Sequence, residues 1–194
     1  MEKFYLEEAN ILRKDDAIEY IEEFIKYNSN INGVCGLDKY LNRYEEWLKF
    51  LESLKNPITT PKNYCPGFEY FLIRENDNKL VGMINLRYNL NKKMLISGGN
   101  IGYSIRPLER RKGYNKINLF LCLLQAHKLN LNKVLLTAYD YNMGSVKTIL
   151  SLEGVLEDKK IDEDGEYGRY FIDVDESIKK NIKVYKKYIS DKNV

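Results

Sequence analysis

A mixed α/β fold, with a mostly antiparallel central sheet flanked by helices, is what this sequence predicts, and three observations carry the expectation. Two β-rich runs, residues 70–74 and 80–88, are separated by the polar turn Glu75-Asn76-Asp77-Asn78-Lys79, the composition and spacing of a hairpin. Alternating residues at 100–106 lead into a helix with an apolar stripe and then into an apolar strand, which makes a strand–helix–strand unit. At 194 residues the chain has room for one domain with a sizeable core and is short for two.

The elements follow in chain order. Residues 3–6 open as a short strand-like run. Asp15 and Asp16 can cap a helix that carries Ile18, Ile21, Phe24 and Ile25 on one face. Residues 37–54 place Leu41, Tyr44, Leu48 and Leu51 at helical spacing, with Trp47 packing from the same helix and Asn56-Pro57 closing it. Pro57, Pro61, Pro66 and Gly67 then mark a surface loop. After the hairpin, Ile101, Tyr103 and Ile105 alternate with Gly102, Ser104 and Arg106, and Pro107 removes the next ladder donor. The following helix carries Ile117, Phe120, Leu121 and Leu124 and runs towards Leu129, ahead of a strand at 133–138. A short helix from Asn142 carries Val146, Ile149 and Leu150. Gly154 breaks it, a last strand covers 170–174, and the charged tail from Asp175 is helical in pattern. The expected organisation is a single domain, 1–194, with a helical part at 1–68, a core at 69–174 and a tail at 175–194.

Between the strand that Pro107 stops and the helix after it lies Arg110-Arg111-Lys112-Gly113-Tyr114-Asn115. First-turn amides of a helix have no intrahelical partner, and the macrodipole places partial positive charge at the same end, so an anion there is stabilised twice. Gly113 lets the backbone curl, and Arg110, Arg111 and Lys112 add formal charge that suits a pyrophosphate. Outside this context, such a run is most often a solvated turn.

Composition narrows the function class. Lys+Arg 31 against Asp+Glu 28 is close to balance and the basic residues are dispersed, so bulk electrostatics do not argue for nucleic acid. Cys35, Cys65 and Cys122 are odd in number and lack C-x-x-C spacing, which indicates reduced thiols with neither a disulfide framework nor a metal site. The opening Met1-Glu2-Lys3-Phe4-Tyr5 has no apolar signal core and no apolar run of about 18 residues exists, so a cytoplasmic protein without a membrane span is expected. The single histidine, His127, reads as a packing or solvent-facing residue, and 16 tyrosines make any one of them a weak pointer.

Taken together, the strand Gly98-Gly99-Asn100-Ile101-Gly102-Tyr103-Ser104-Ile105-Arg106-Pro107, the turn Arg110-x-x-Gly113-x-Asn115 with its helix, and Asn142-x-x-Ser145 in the next loop resemble the acetyl-CoA-binding half of GNAT-superfamily N-acetyltransferases. The resemblance covers roughly residues 69–174, and its wording is similar to a branch of predicted bacterial acetyltransferases. It implies a GNAT-like acyl-CoA N-acyltransferase fold, acetyl-CoA as co-substrate, no metal, and a small-molecule amine as acceptor. It also implies that Arg110, Arg111, Lys112, Gly113, Tyr114, Asn115 and Lys116 surround the pyrophosphate. Backbone groups of Tyr103 and Ile105 would pair with the pantetheine arm, and Asn142 and Ser145 would lie beside its sulfur end. The family pattern ends in a small residue where this chain has Asn115, which adds bulk and an amide donor.

The catalytic residues are less clearly inherited. A free alkylamine has a pKa near ~10.4 and a thiol near ~8.5, so both ends of an acetyl transfer benefit from proton management. Many family members carry a tyrosine acid seven residues after the loop asparagine, where this chain has Ile149. Tyr141, Ser145 or a water is left as proton donor. On the strand at 100–106, where family members often carry a base, this chain has Asn100, which leaves Asp140 as the nearest acidic candidate, with a solvated loop or cap residue as its alternative reading. The oxyanion is assigned to a backbone N–H near Tyr103. Direct attack by the amine is expected, since neither Cys65 nor Cys122 has a visible base. A non-catalytic coenzyme A or acyl-CoA-binding module is the second reading, and a nucleic-acid binder the third. A homodimer is compatible with the sequence but not required by it.

Overall fold

A computed structural model describes residues 1–193. β1 (Phe4–Glu8), β2 (Gly67–Arg74), β3 (Lys79–Arg87) and β4 (Ile101–Ile105) form an antiparallel sheet in the order β1-β2-β3-β4. A second sheet, β5-β7-β6, is built from β5 (Lys133–Tyr139), β6 (Val155–Asp162) and β7 (Gly165–Asp173), again antiparallel. The helices are α1 (Lys14–Lys26), α2 (Tyr44–Leu54), α3 (Lys92–Ile96), α4 (Tyr114–Lys128), α5 (Met143–Leu150) and α6 (Val174–Tyr185). Among the described residues no helix is long and apolar enough to cross a membrane.

The first sheet is buried on both faces, which explains why β3 reads as a near-continuous apolar run. On one face Phe71, Ile73 and Met83 pack with Tyr20, Phe24, Trp47 and Leu51 of α1 and α2. On the other, Leu72, Ile84 and Leu86 pack with α4. Five consecutive α4 residues, Leu119 to Leu123, are buried because the helix is enclosed by the sheet, α5 and α6. A helix in that position is apolar all round, wider than the single stripe its sequence suggests. Phe120 stacks on Tyr185 of α6 with ring centroids 4.8 Å apart.

Four elements differ from expectation, and the first is α3, which lies where the sequence indicates neither helix nor strand. Residues 37–54 do not form one helix: Leu37–Lys39 is a 3-10 turn and α2 begins at Tyr44. The Tyr44 hydroxyl donates to the Asn10 carbonyl (2.9 Å) and Trp47 Nε1 donates to the Cys35 carbonyl (3.2 Å), which ties the start of α2 to the segment after β1 and to the loop after α1. β6 has no counterpart in the sequence pattern because it is an edge strand exposed along nearly its whole length, with charged Asp158, Lys159 and Lys160 instead of alternation. β7 begins at the positive-φ Gly165 turn, five residues before the expected strand. Its last residue, Asp173, caps α6 by accepting the Glu176 N–H.

Asn100 joins the two sheets. Its N–H donates to the Leu135 carbonyl (2.7 Å), its Oδ1 accepts the Leu135 N–H (2.8 Å), and its Nδ2 donates to the Arg87 carbonyl (2.8 Å). Its own carbonyl accepts the Arg87 N–H (2.7 Å). Beyond the bridge at Gly99 and Leu136, β4 and β5 belong to separate sheets.

Candidate functional site

The edge of β4 that faces away from β3 is the first component of the site. The Asn100 carbonyl and the Arg106 N–H both bond towards β3, so by strand alternation the backbone groups of Ile101, Tyr103 and Ile105 point to the other side. They form an extended edge able to pair with a strand-like ligand. The Ile105 carbonyl is the exception: Arg110 Nε donates to it at 3.0 Å. Of the Ile105 backbone groups, the N–H is the one left on this edge.

The turn after β4 supplies the second component. Arg111 and Gly113 take left-handed φ values of 66° and 85°, and the two reversals turn successive amides inwards as an anion-binding nest. Among the described residues the N–H groups of Arg111, Lys112, Gly113, Tyr114 and Asn115 meet no acceptor. Nothing lies within 4 Å of where a Cβ on Gly113 would be. The 15-residue α4 begins at the next residue and aims its N-terminus at the same place.

The charged side chains of the turn are less available than the sequence suggests. Arg110 folds away, with Nη2 on the Ser29 hydroxyl (2.8 Å) and its guanidinium over the Phe24 ring. Lys112 is paired with buried Glu109 (2.8 Å), which also binds Arg74 and Lys79. Burial would raise the Glu109 carboxyl, but hydrogen bonds from Lys112, Arg74 and Lys79 outweigh it and hold it at about 2. Tyr114 is buried, its hydroxyl directed to Glu2 at 2.7 Å. Arg110, Lys112 and Tyr114 therefore hold the turn in shape. Arg111 and Lys116, both exposed, are the side chains free to meet an anion, beside the backbone amides.

Where the two sheets part, Tyr103 and Ser145 face each other, hydroxyl to hydroxyl, at 2.8 Å. Asn115 lies beside them, with Nδ2 on the Thr148 hydroxyl (3.4 Å) and a buried Oδ1 that has no partner. Burial pushes the Tyr103 phenol above its ordinary value, more than the bonds to Ser145 and Asn115 lower it. Asn142 caps α5: its Oδ1 accepts the Ser145 N–H (3.2 Å). Ile149 is fully buried in the core, its methyl against Gly154, so a side chain at that position points away from the groove.

Two expected proton carriers lie elsewhere. Asp140 is paired with Lys159 at 2.5 Å, and that ammonium, which also binds Glu166, keeps the carboxyl below the usual range. A carboxylate neutralised by a surface lysine and made less basic is ill-suited to take a proton from an amine. Tyr141 is 67% exposed and stacks on Tyr139 at 5.2 Å, outside the Tyr103–Ser145 cluster.

Other residues at the site carried no sequence signal. The loop after α1 brings Gly33 (φ 65°) against β4, so closely that a Cβ there would sit 2.4 Å from the Tyr103 nitrogen. α1, which leads into that loop, is fixed to β4 through Tyr20, bonded to the Ser104 hydroxyl (3.0 Å), and to the residue after β4 through Glu19 and Glu23, paired with buried Arg106. On the same sheet face Glu69, Asn85 and Gly102 are consecutive cross-strand partners, with Arg87 on the next inward-facing position of β3. A single glutamate in a strand of apolar residues was the one available hint.

The architecture has solved counterparts. A ribosomal-protein-S5-alanine acetyltransferase from Vibrio fischeri matches with a TM-score of 0.62 at 13% identity, over 89% of this chain and 94% of that one. Mutant forms of a spermidine/spermine N-acetyltransferase from Vibrio cholerae match with a TM-score of 0.63 at 15% identity, over 92% and 98%. An acetyltransferase of the GNAT family from Streptococcus pneumoniae gives 0.61 at 13%, over 87% and 98%. The chain has the fold of these acetyltransferases. No family model matches its sequence, and no curated protein matches it.

Proposed function

We propose that the protein is an acetyl-CoA-dependent N-acetyltransferase that acylates a primary amine of a small acceptor by direct attack. The observation that carries this reading is the row of five unpartnered amides at residues 111–115, lying at the end of a strand whose outer edge is open. The residues present fit coenzyme A: a nest and helix N-terminus for a pyrophosphate, and alternating backbone groups at Ile101 and Tyr103 for an extended amide-bearing arm. The second substrate supplies an activated acetyl thioester. Solved proteins of this fold are acetyltransferases, which supports the same reaction class here.

The chain's own groups divide the work. Arg111, Gly113, Asn115 and the start of α4 hold the anionic end, with Lys116 beside them. The Tyr103 N–H is the donor aimed at developing negative charge on the carbonyl oxygen. Tyr103 and Ser145 form the hydroxyl pair nearest the sulfur end. With its pKa raised above that of a thiol, the phenol donates a hydrogen bond to a departing thiolate and keeps its proton. Asn142 positions Ser145 by capping α5.

Calorimetry with acetyl-CoA is the direct test. Saturable binding is expected, and no heat at high micromolar coenzyme from folded protein would refute the proposal. The buried Ile149 and the ion-paired Asp140 favour a second reading, a non-catalytic coenzyme A-binding module of the same fold. Release of free thiol with a panel of amines separates the two. The three free cysteines accord with a reducing compartment, so we place the protein in the cytoplasm. Self-association is also proposed, since the edge strand β6 exposes Val155 and Ile161 and a related spermidine N-acetyltransferase structure is dodecameric.

A further inference from the structure

Glu69 is 2% exposed, and neither of its carboxyl oxygens has a hydrogen-bond partner. Its cross-strand neighbour Asn85 gives its Nδ2 proton to the Phe68 carbonyl (3.2 Å) and leaves a buried Oδ1 unpartnered as well. Arg87, two positions along β3, donates to the Gly99 carbonyl and forms no ion pair among the described residues. Buried polar groups are nearly always satisfied, so an unpaired carboxyl in a well-packed sheet asks for a ligand.

The place is the right one for the acceptor. Glu69, Asn85 and Gly102 form one row across β2, β3 and β4 on the face covered by α1 and α2. At the β4 end, Gly102 has no side chain, and Gly33 lies over the Tyr103 nitrogen. At the β2 end, Glu69 lines a cavity of ≈ 210 Å³ between α2 and the end of β1, together with Glu8, Leu48, Leu51, Glu52 and Lys55. Lys55 binds Glu8 and Glu52 there, so the wall already receives one alkylammonium, from the protein itself.

We infer that Glu69 is the acceptor-binding base, and that the acceptor is a primary alkylamine entering as its ammonium from the cavity under α2. This rests on the acetyltransferase reading. β2 and β4 are two strand spacings apart, roughly 10 Å, a span that a glutamate side chain and a hydrogen-bonded amine cover together. The nitrogen forms its bond to the acetyl carbon as the carbon–sulfur bond breaks. Before the attack the ammonium gives one proton to the Glu69 carboxylate, which frees the nitrogen lone pair, and the second proton that the nitrogen loses on forming the amide passes through water to the departing thiolate. Titratable and charged groups on the Glu69 side of the sheet are Arg87 on β3, Cys35 from the loop after α1 and Tyr44 on α2, with Glu8, Glu52 and Lys55 in the cavity wall. Burial raises the Glu69 carboxyl well above the usual range, more than the Arg87 charge lowers it, so it takes up a proton more readily than an exposed carboxylate.

The test compares wild type with Glu69→Gln and Glu69→Leu in three measurements. Acetyl-CoA calorimetry should give the same affinity within threefold in all three proteins; absence of binding to the wild type defeats the acetyltransferase reading itself. Thermal unfolding at pH 7 should show both variants melting at or above the wild type, because an unpaired buried carboxyl is removed. Thiol release with n-propylamine, benzylamine and cadaverine should fall at least 100-fold in both variants, and the acidic limb of the wild-type pH profile should vanish. The inference is overturned by three outcomes: variants that keep turnover within threefold, variants that melt several degrees lower or fail to fold, and a wild type that binds acetyl-CoA yet acetylates none of these alkylamines.

Discussion

The Tyr103 hydroxyl on β4 and the Ser145 hydroxyl on α5 stand 2.8 Å apart and tie one sheet to the helix that follows the other. Ser145 was expected beside the sulfur end of a bound coenzyme and Tyr103 only through its backbone, and nothing in their spacing requires the two hydroxyls to touch. The contact places a hydroxyl pair where β4 and β5 separate. Tyr103→Phe should lower turnover about tenfold while acetyl-CoA affinity changes less than threefold, and should cost about 1 kcal/mol of stability. Steady-state kinetics, calorimetry and urea unfolding check the three parts. A larger loss of affinity than of turnover would contradict the assigned role.

At the turn, backbone and side chain can be separated. Gly113→Ala meets no steric obstacle but forces φ 85° on an L-residue, at about 1–2 kcal/mol. The amides it rotates should cost at least tenfold in coenzyme affinity. Arg111→Gly removes a charge and relieves φ 66°, so stability should rise by a few tenths to about 1 kcal/mol while affinity falls less than in the alanine variant. Titration of both variants by calorimetry tests this order, and the reverse order would shift the burden to the charges.

Asn100 is a hinge pin in place of a base. Asn100→Ala leaves the buried Leu135 N–H without its side-chain acceptor and removes the bond to the Arg87 carbonyl, so a loss of about 2–4 kcal/mol is expected. Asn100→Asp restores only the acceptor and should recover part of it. Equilibrium unfolding of the two variants gives the comparison, and a neutral alanine variant would remove Asn100 from this role.

Glu109 gives an acid-side signature. Its folded pKa, about 2, lies below its ordinary 4.5, so its contribution is complete above about pH 5 and disappears as pH falls towards 2. Partial solvent access of Lys79 and Lys112 reduces the effect to on the order of 2 kcal/mol. Glu109→Gln should therefore destabilise at pH 7 and converge with wild type near pH 2, measured by urea unfolding across that range.

Asp140→Ala should leave turnover within twofold, because Lys159 already holds the carboxylate on the surface of the second sheet. Its effect on stability should be confined to the Lys159 cluster, because an exposed ion pair contributes little. An abolished turnover with intact coenzyme binding would return Asp140 to the chemistry.

Much of this protein was settled locally. The hairpin, the strand stopped by Pro107, the basic turn with Gly113, and the Asn142 cap each depend on residues close together in the chain, so their sequence patterns survive folding. The tertiary structure decided what depends on distant packing: Arg110 and Lys112 turn back to Ser29 and Glu109, Ile149 faces the core, and Asp140 meets Lys159. It also placed Gly33 on Tyr103 and set Glu69 in a row with Asn85 and Gly102. Sequence periodicity records which face of an element is apolar, whereas the partner of a polar side chain is fixed only when strands and helices remote in the chain are brought into register.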